Sequence, residues 1–235
     1  MYLFYSRLIN IPIHALSEEE SNHCINVLRL SKGNTLYFIN GMGDFYKAII
    51  IDAHPKKCTV KIIENLDLLY KKHEYYLHIA IAPTKNIDRY EWFVEKAVEI
   101  GIDEITPLLC DRSERKIVKQ DRSKKVAIAA MKQSLKAYLP QINDITDFSK
   151  FIQAPFKGKK YIAHCIEQEK VLFQKSIVSK EDILILIGPE GDFSKTEITL
   201  ALNNGYQAVS LGNSRLRTET AGIVACNTAA IINQQ

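Results

Sequence analysis

The chain has 235 residues, enough for one large domain or for a small and a medium one. Its 46% hydrophobic and 25% charged residues, with a net charge of +4, are ordinary for a soluble globular protein, and no run of about eighteen apolar residues marks a membrane span. The five cysteines (Cys24, Cys58, Cys110, Cys165, Cys226) are scattered and the six histidines show no ligand spacing, which argues against a disulfide framework and against a metal site. A metal-free chain in the cytoplasm is the expectation.

Met1-Tyr2-Leu3-Phe4-Tyr5-Ser6-Arg7 lacks the pattern of a signal peptide, and Tyr2–Ile9 reads as a first strand. Ser17-Glu18-Glu19-Glu20 has the form of a capping box opening a helix that carries Cys24, Val27 and Leu28 and stops near Lys32-Gly33. Strands follow at Thr35–Ile39, Phe45–Asp52 and Cys58–Glu64, and Asn40-Gly41 between the first two is a hairpin signal. Short strands with one helix predict a compact barrel over residues 1–70.

The polar, aperiodic stretch Leu69–Glu74 is the predicted domain boundary, and residues 75–235 change to alternating strands and helices. Tyr76–Ala82 reads as a strand, and Ile87–Ile100 as a helix with apolar Trp92, Phe93, Ala97 and Ile100, closed by Gly101. Glu104–Leu109 is a strand, followed by a long helix over Arg122–Tyr138 that Pro140 ends. Further strands are expected at Lys160–His164, Ile183–Ile187 and Gln207–Leu211. Ser194 and Glu197 form a second capping box, with Phe193 and Ile198 as its hydrophobic staple, and Thr220–Asn233 is the last helix. This alternation predicts an α/β fold with a mostly parallel sheet covered on both faces.

Ligands of open α/β sheets bind at the carboxyl ends of strands. Two glycine turns fall there: Gly188-Pro189-Glu190-Gly191, where Gly191 can take a positive φ, and Leu211-Gly212. One G-x-x-G alone would be an ordinary turn. A second glycine loop with Arg217-Thr218-Glu219-Thr220 beside it favours a ligand cradle. No G-x-G-x-x-G or G-x-x-x-x-G-K-[ST] is present, which weighs against Rossmann enzymes and P-loop nucleotidases. Lys85, Asp88 and Arg89, and again Arg112, Ser113, Arg115 and Lys116, follow strands on the ligand side. They read either as caps and solvated charges or as groups that hold a phosphate or a base. The basic run from Arg112 to Lys136 is likewise either a solvated helix face or a phosphate-contacting surface. The last helix is rich in small residues (Ala221, Gly222, Ala225, Cys226, Ala229, Ala230), which suits core packing or a subunit contact.

Ile187-Gly188-Pro189-Glu190-Gly191 with Phe193-Ser194, then Leu211-Gly212 and Leu216-Arg217-Thr218-Glu219-Thr220-Ala221, resemble the RsmE family. These are SPOUT-class methyltransferases that use S-adenosylmethionine to methylate N3 of a uridine in 16S ribosomal RNA. His23–Arg29, Pro83-Thr84-Lys85 with Asp88-Arg89, and Gln133-Ser134 with Pro140 extend the likeness over nearly the whole chain. The resemblance implies an N-terminal PUA-like RNA-binding β-barrel, a C-terminal α/β domain with a deep trefoil knot, and a homodimer with donor sites near the subunit interface. Asp192 departs from the family pattern, standing where many relatives carry a second glycine. Lys136 stands where arginine is common, keeping the charge without the bidentate fork.

Uracil N3 holds its proton too tightly to lose it unaided at neutral pH, so the site must supply a base, a cation for the resulting anion, or both. On this resemblance Glu219 and Glu190 are the base candidates and Arg217 the cation. Ile187, Gly188, Pro189, Glu190, Gly191, Leu211, Gly212, Ser214, Leu216 and Thr218 are the candidate donor-binding residues. Arg7, Arg29, Lys85, Arg89, Arg112, Arg115, Lys132, Gln133 and Lys136 are the candidate RNA contacts, with ribosomal RNA of the small subunit as partner. Two rival readings remain: a ribose 2′-O methyltransferase of the same fold, and a non-enzymatic RNA-binding module.

Overall fold

A computed structural model of the chain describes residues 1–66 and 72–234. Two compact units divide it: Met1–Lys72 together with Met131–Leu139, and His73–Ala130 together with Pro140–Gln235. Of the boundary predicted at Leu69–Glu74, residues 69–71 lie outside the described residues.

In the first unit, β1 (Leu3–Tyr5), β2 (Ile13–Ala15), β3 (Thr35–Ile39), β4 (Phe45–Asp52) and β5 (Thr59–Asn65) form one sheet in the order β1-β3-β4-β5-β2. Alternate residues of β3 and β4 (Leu36, Phe38, Ala48, Ile50) meet Phe4, Cys24, Cys58 and Val60 in one core. The predicted hairpin is present, with Ile39 opposite Phe45. Its turn is closed by Asn40, whose Oδ1 accepts the Met42 and Asp44 amides at 2.8 and 3.2 Å.

Three expectations for this unit need correction. The first strand, expected over Tyr2–Ile9, spans only Leu3–Tyr5, and Leu8 is exposed. Helix α1 (Glu18–Asn22) continues only as one π turn, His23–Val27, and Val27 is 60% exposed. The first capping box is half formed: Ser17 Oγ accepts the Glu20 amide at 3.2 Å, but the Glu20 carboxylate pairs with Lys132 Nζ at 2.9 Å. A full ion pair offers that carboxylate more than a neutral amide does.

The second unit is built on an eight-stranded sheet: β6 (Leu77–Ile81), β7 (Glu104–Leu109), β8 (Gln141–Ile142), β9 (Thr146–Asp147), β10 (Lys159–Ala163), β11 (Val171–Leu172), β12 (Ile183–Ile187) and β13 (Gln207–Ser210). The order is β11-β13-β10-β12-β6-β7-β8, with β9 beside β7, and every pairing is parallel. β6 and β12 are buried at every residue, as the strands of a sheet covered on both faces must be. Register sets Ala163, Ile187 and Ile81 side by side at one edge, so the loops after β10, β12 and β6 leave the sheet together.

Helix α2 (Ile87–Ile100) is capped by Asn86, whose Oδ1 accepts the Asp88 amide at 3.0 Å, so Asp88 is not the cap. Gly101, at φ 124°, closes it. Its buried face is Tyr90, Phe93, Val94, Ala97 and Val98, while Trp92, expected on that face, is 44% exposed. Helix α3 (Gln120–Gln133) ends well before Tyr138: Leu135 turns left-handed (φ 56°) and the Lys136 amide reaches back to the Met131 carbonyl at 3.0 Å. Two short helices, α4 (Phe148–Phe151) and α5 (Phe173–Ser176), were not anticipated. Helix α6 (Lys195–Asn203) has the full Ser194/Glu197 capping box, with Phe193 and Ile198 buried in one cluster.

Helix α7 (Thr218–Asn233) begins two residues earlier than predicted. Its small residues pack inside the unit. A Cβ on Gly222 would lie 2.5 Å from the Phe93 ring of α2 and 2.9 Å from Ile81 of β6. Gly222, Ala225, Cys226, Ala229 and Ala230 are thus buried by core packing, one of the two readings of this face, whereas the family resemblance favoured the other, a subunit contact.

Candidate active site

Two adjoining clefts open where the strands end. The first, of about 280 Å³, is lined by Ala163, Cys165, Ile187–Glu190, Asp192, Arg215–Thr218 and Ala221. The second, of about 630 Å³, is walled by residues 163–166, Lys170, Asp192, Val209–Leu216 and Ala221. Together they form one crevice at the carboxyl edge of a parallel sheet, the place where such sheets take ligands.

The turn after β12 is held from several sides. Thr218 Oγ1 donates to the Gly188 carbonyl at 3.0 Å, joining the start of α7 to that turn. Glu190 Oε1 accepts the Lys85 amide at 2.9 Å, and Arg112 Nη1 donates to the Gly191 carbonyl at 2.8 Å. Gly191 does not take the expected positive φ; the left-handed residue is Asp192, at φ 62°. Asp192 Oδ1 accepts the amide of Phe193 at 2.9 Å and Oδ2 that of Cys165 at 2.8 Å, linking this turn to the loop after β10. A Cβ on Gly191 would instead touch the Arg112 side chain at 3.3 Å.

The loop after β10 carried no sequence signal beyond its place at a strand end, and it supplies residues that sequence reasoning missed. Lys170 Nζ donates to the carbonyls of His164 and Ile166 at 2.8 and 2.9 Å, closing the loop on itself. Burial, and then the Lys170 charge, hold His164 below the ordinary imidazole range, while Asp192 pulls the other way. Arg215 is a second omission: it is exposed and lines both clefts.

Of the predicted donor-binding residues, Ile187, Gly188, Pro189, Glu190 and Thr218 line the first cleft, Leu211, Gly212 and Ser214 the second, and Leu216 both. Gly191 lines neither. Arg217 and Glu190 face the first cleft, whereas Glu219 is buried in the first turn of α7 and points to Arg89, whose Nε is 3.9 Å from its carboxylate. The predicted RNA contacts divide. Arg7, Arg29 and Gln133 are exposed in the first unit and Lys136 is half-buried. Lys132 is engaged with Glu20 and lies 5.5 Å from the Phe4 ring centre. Arg115 donates to the Thr84 and Lys85 carbonyls at 3.0 and 2.6 Å, and Lys85 Nζ pairs with Glu114 at 2.8 Å. Arg112 and Arg115 thus brace backbone before they meet any external group.

Among the described residues no helix is long and apolar enough to cross a membrane, and no cluster of His, Cys, Asp and Glu is arranged to hold a metal. The RNA methyltransferase domain family matches residues 71–230, and the RNA methyltransferase PUA domain family matches residues 16–63. The ribosomal RNA small subunit methyltransferase E of Rickettsia conorii is 29% identical, over 92% of this chain and 88% of its own length. A probable rRNA-methyltransferase from Porphyromonas gingivalis, solved by crystallography, is 39% identical, with TM-score 0.92 and coverage of 100% of this chain and 99% of that one. A methyltransferase from Legionella pneumophila, solved with bound SAM, is 29% identical with TM-score 0.89, covering 97% and 96% of the two chains. With its parallel sheet, its terminal clefts and these matches, the chain belongs to the RNA methyltransferase family, as an α/β SPOUT-type domain preceded by a PUA domain.

Proposed function

We propose that this protein transfers a methyl group from S-adenosylmethionine to N3 of a uridine in 16S ribosomal RNA of the small subunit. The observation that carries the reading is the crevice formed where the Gly188–Gly191 and Leu211–Leu216 loops meet, with Arg217 at its rim. The crevice fits the donor: Ile187, Leu216, Ala163 and Ala221 give apolar walls, and the turn residues bring main-chain donors and acceptors to them. When bound there, the donor supplies an electrophilic methyl group.

The chain's own residues do the rest. Thr218 and Arg112 fix the turn after β12 through the Gly188 and Gly191 carbonyls, so the cradle is shaped before the ligand arrives. Arg217, exposed at the N-cap of α7 and lining the first cleft, stabilises the negative charge that uracil develops as N3 loses its proton. Glu190 lines the same cleft and keeps one carboxylate oxygen beyond its bond to the Lys85 amide, which makes it the better placed base. Glu219, drawn toward Arg89, serves to anchor α2 to α7. RNA phosphates meet the exposed Arg7, Arg29 and Gln133, the half-buried Lys136 and the outer charges of Lys85, Arg89, Arg112 and Arg115, with Lys132 supporting the first unit.

On this reading residues 1–70 form the RNA-binding barrel and residues 75–235 the methyltransferase domain with its trefoil knot. The protein is a cytoplasmic homodimer. Mass spectrometry of ribosomal RNA from cells lacking the protein tests it: loss of one 3-methyluridine is expected. An unchanged modification map refutes the reading, and loss of a ribose 2′-O-methyl group instead would favour the sister chemistry.

A further inference from the structure

Asp192 has a conformation that glycine adopts freely and that disfavours residues with a Cβ. The turn needs that backbone shape, since the Asp192 amide closes it on the Pro189 carbonyl at 2.9 Å. Glycine would serve for the shape alone, yet here the position carries a carboxylate. Each oxygen accepts one amide, from Cys165 at 2.8 Å and from Phe193 at 2.9 Å, which leaves a lone pair on each and the full negative charge in place. Asp192 lines both clefts. Its position is fixed by two loops at once.

The charges around it are Glu190, Arg215 and Arg217 on the first cleft and Arg215 and Lys170 on the second. Lys170 is held by the His164 and Ile166 carbonyls of its own loop, and Glu190 lines the first cleft alone and is bonded to the Lys85 amide of the loop after β6. Asp192 is the carboxylate shared by the two clefts.

We infer that Asp192 makes the crevice selective for a cationic ligand, favouring the sulfonium of S-adenosylmethionine over the neutral thioether of S-adenosylhomocysteine that remains once the methyl group has left. The inference rests on the donor reading above and deepens it. Its consequence is that the product is held less tightly than the donor, which eases turnover.

Calorimetric titration of the full-length protein with each of the two compounds tests it, in wild type, Asp192→Asn and Asp192→Gly. Both variants tolerate the left-handed backbone. The wild type is expected to bind S-adenosylmethionine more tightly than S-adenosylhomocysteine. Both variants should shrink that ratio by about three- to tenfold, chiefly by weakening S-adenosylmethionine. A purely structural role would weaken both compounds by one common factor, and that unchanged ratio would overturn the inference while leaving the donor site intact. Unaltered affinity for both compounds would overturn it equally. Failure of the wild type to bind either one would instead overturn the donor reading and this inference with it.

Discussion

Thr218 and Gly188 lie thirty residues apart and are joined by a 3.0 Å hydrogen bond from the threonine hydroxyl to the glycine carbonyl. Through it the first residue of α7 holds the turn that follows β12, so the last helix and the ligand crevice share one anchor. Thr218→Val keeps the shape and removes the donor. Affinity for S-adenosylmethionine should fall several-fold with a stability loss of about 1 kcal/mol, and Thr218→Ser should restore both. Titration calorimetry and urea unfolding measure the two effects.

Arg217 is placed to act on charge that develops during the reaction. Arg217→Ala should lower turnover by about a hundredfold or more while RNA and donor affinities change little. Single-turnover kinetics on pre-bound RNA decide the point. If RNA binding collapses while transfer on bound RNA survives, Arg217 is a phosphate contact and not the cation of the mechanism.

Arg112 separates a bracing role from an RNA-contact role. Its guanidinium holds the Gly191 carbonyl at 2.8 Å. Arg112→Ala should therefore weaken donor binding in the absence of RNA. A residue that met only phosphates would leave that affinity untouched and alter the salt dependence of RNA binding instead.

Gly222 has no room for a side chain against Phe93 and Ile81. Gly222→Ala should destabilise the protein by about 1–3 kcal/mol, since its methyl group forces apart α7, α2 and β6. Thermal unfolding reads this directly, and an unchanged midpoint would mean that the helices part at no cost.

His78 is buried beside Thr106, whose Oγ1 is 2.8 Å from its Nε2, and faces Glu104, which also accepts from Tyr76 and Asn143. Burial pushes its pKa down to about 4, against the opposing pull of Glu104. Between that value and about 6.5 the unfolded chain binds a proton that the folded chain refuses. Stability from this group is thus complete above about pH 6.5 and is lost as pH falls toward 4, by about 3 kcal/mol in all. Denaturant midpoints across that window should slope less steeply in His78→Gln than in the wild type.

Local signals were the legible part of this chain. Strands β3, β7 and β12, the Asn40-Gly41 hairpin, helix α2 with its Gly101 stop and the Ser194/Glu197 box all appear where the residues put them. Each depends on neighbours a few positions away, which is the range over which hydrophobic periodicity and capping act. Both glycine loops that line the clefts were visible for the same reason: a glycine turn at the end of an apolar strand marks itself.

Tertiary structure decided what depends on distant partners. Glu20 left its own helix for Lys132, Glu219 turned to Arg89 away from the clefts, and Arg112 and Arg115 found backbone carbonyls. Long charged side chains settle on whichever donor or acceptor the fold brings within reach, and no local pattern names that partner. The loop from Ala163 to Lys170 entered the crevice only because parallel pairing set β10 beside β12. The chemistry of the strand-end loops was thus written in the residues themselves, while the choice of which charges face the ligand came from the packing of elements far apart in the chain.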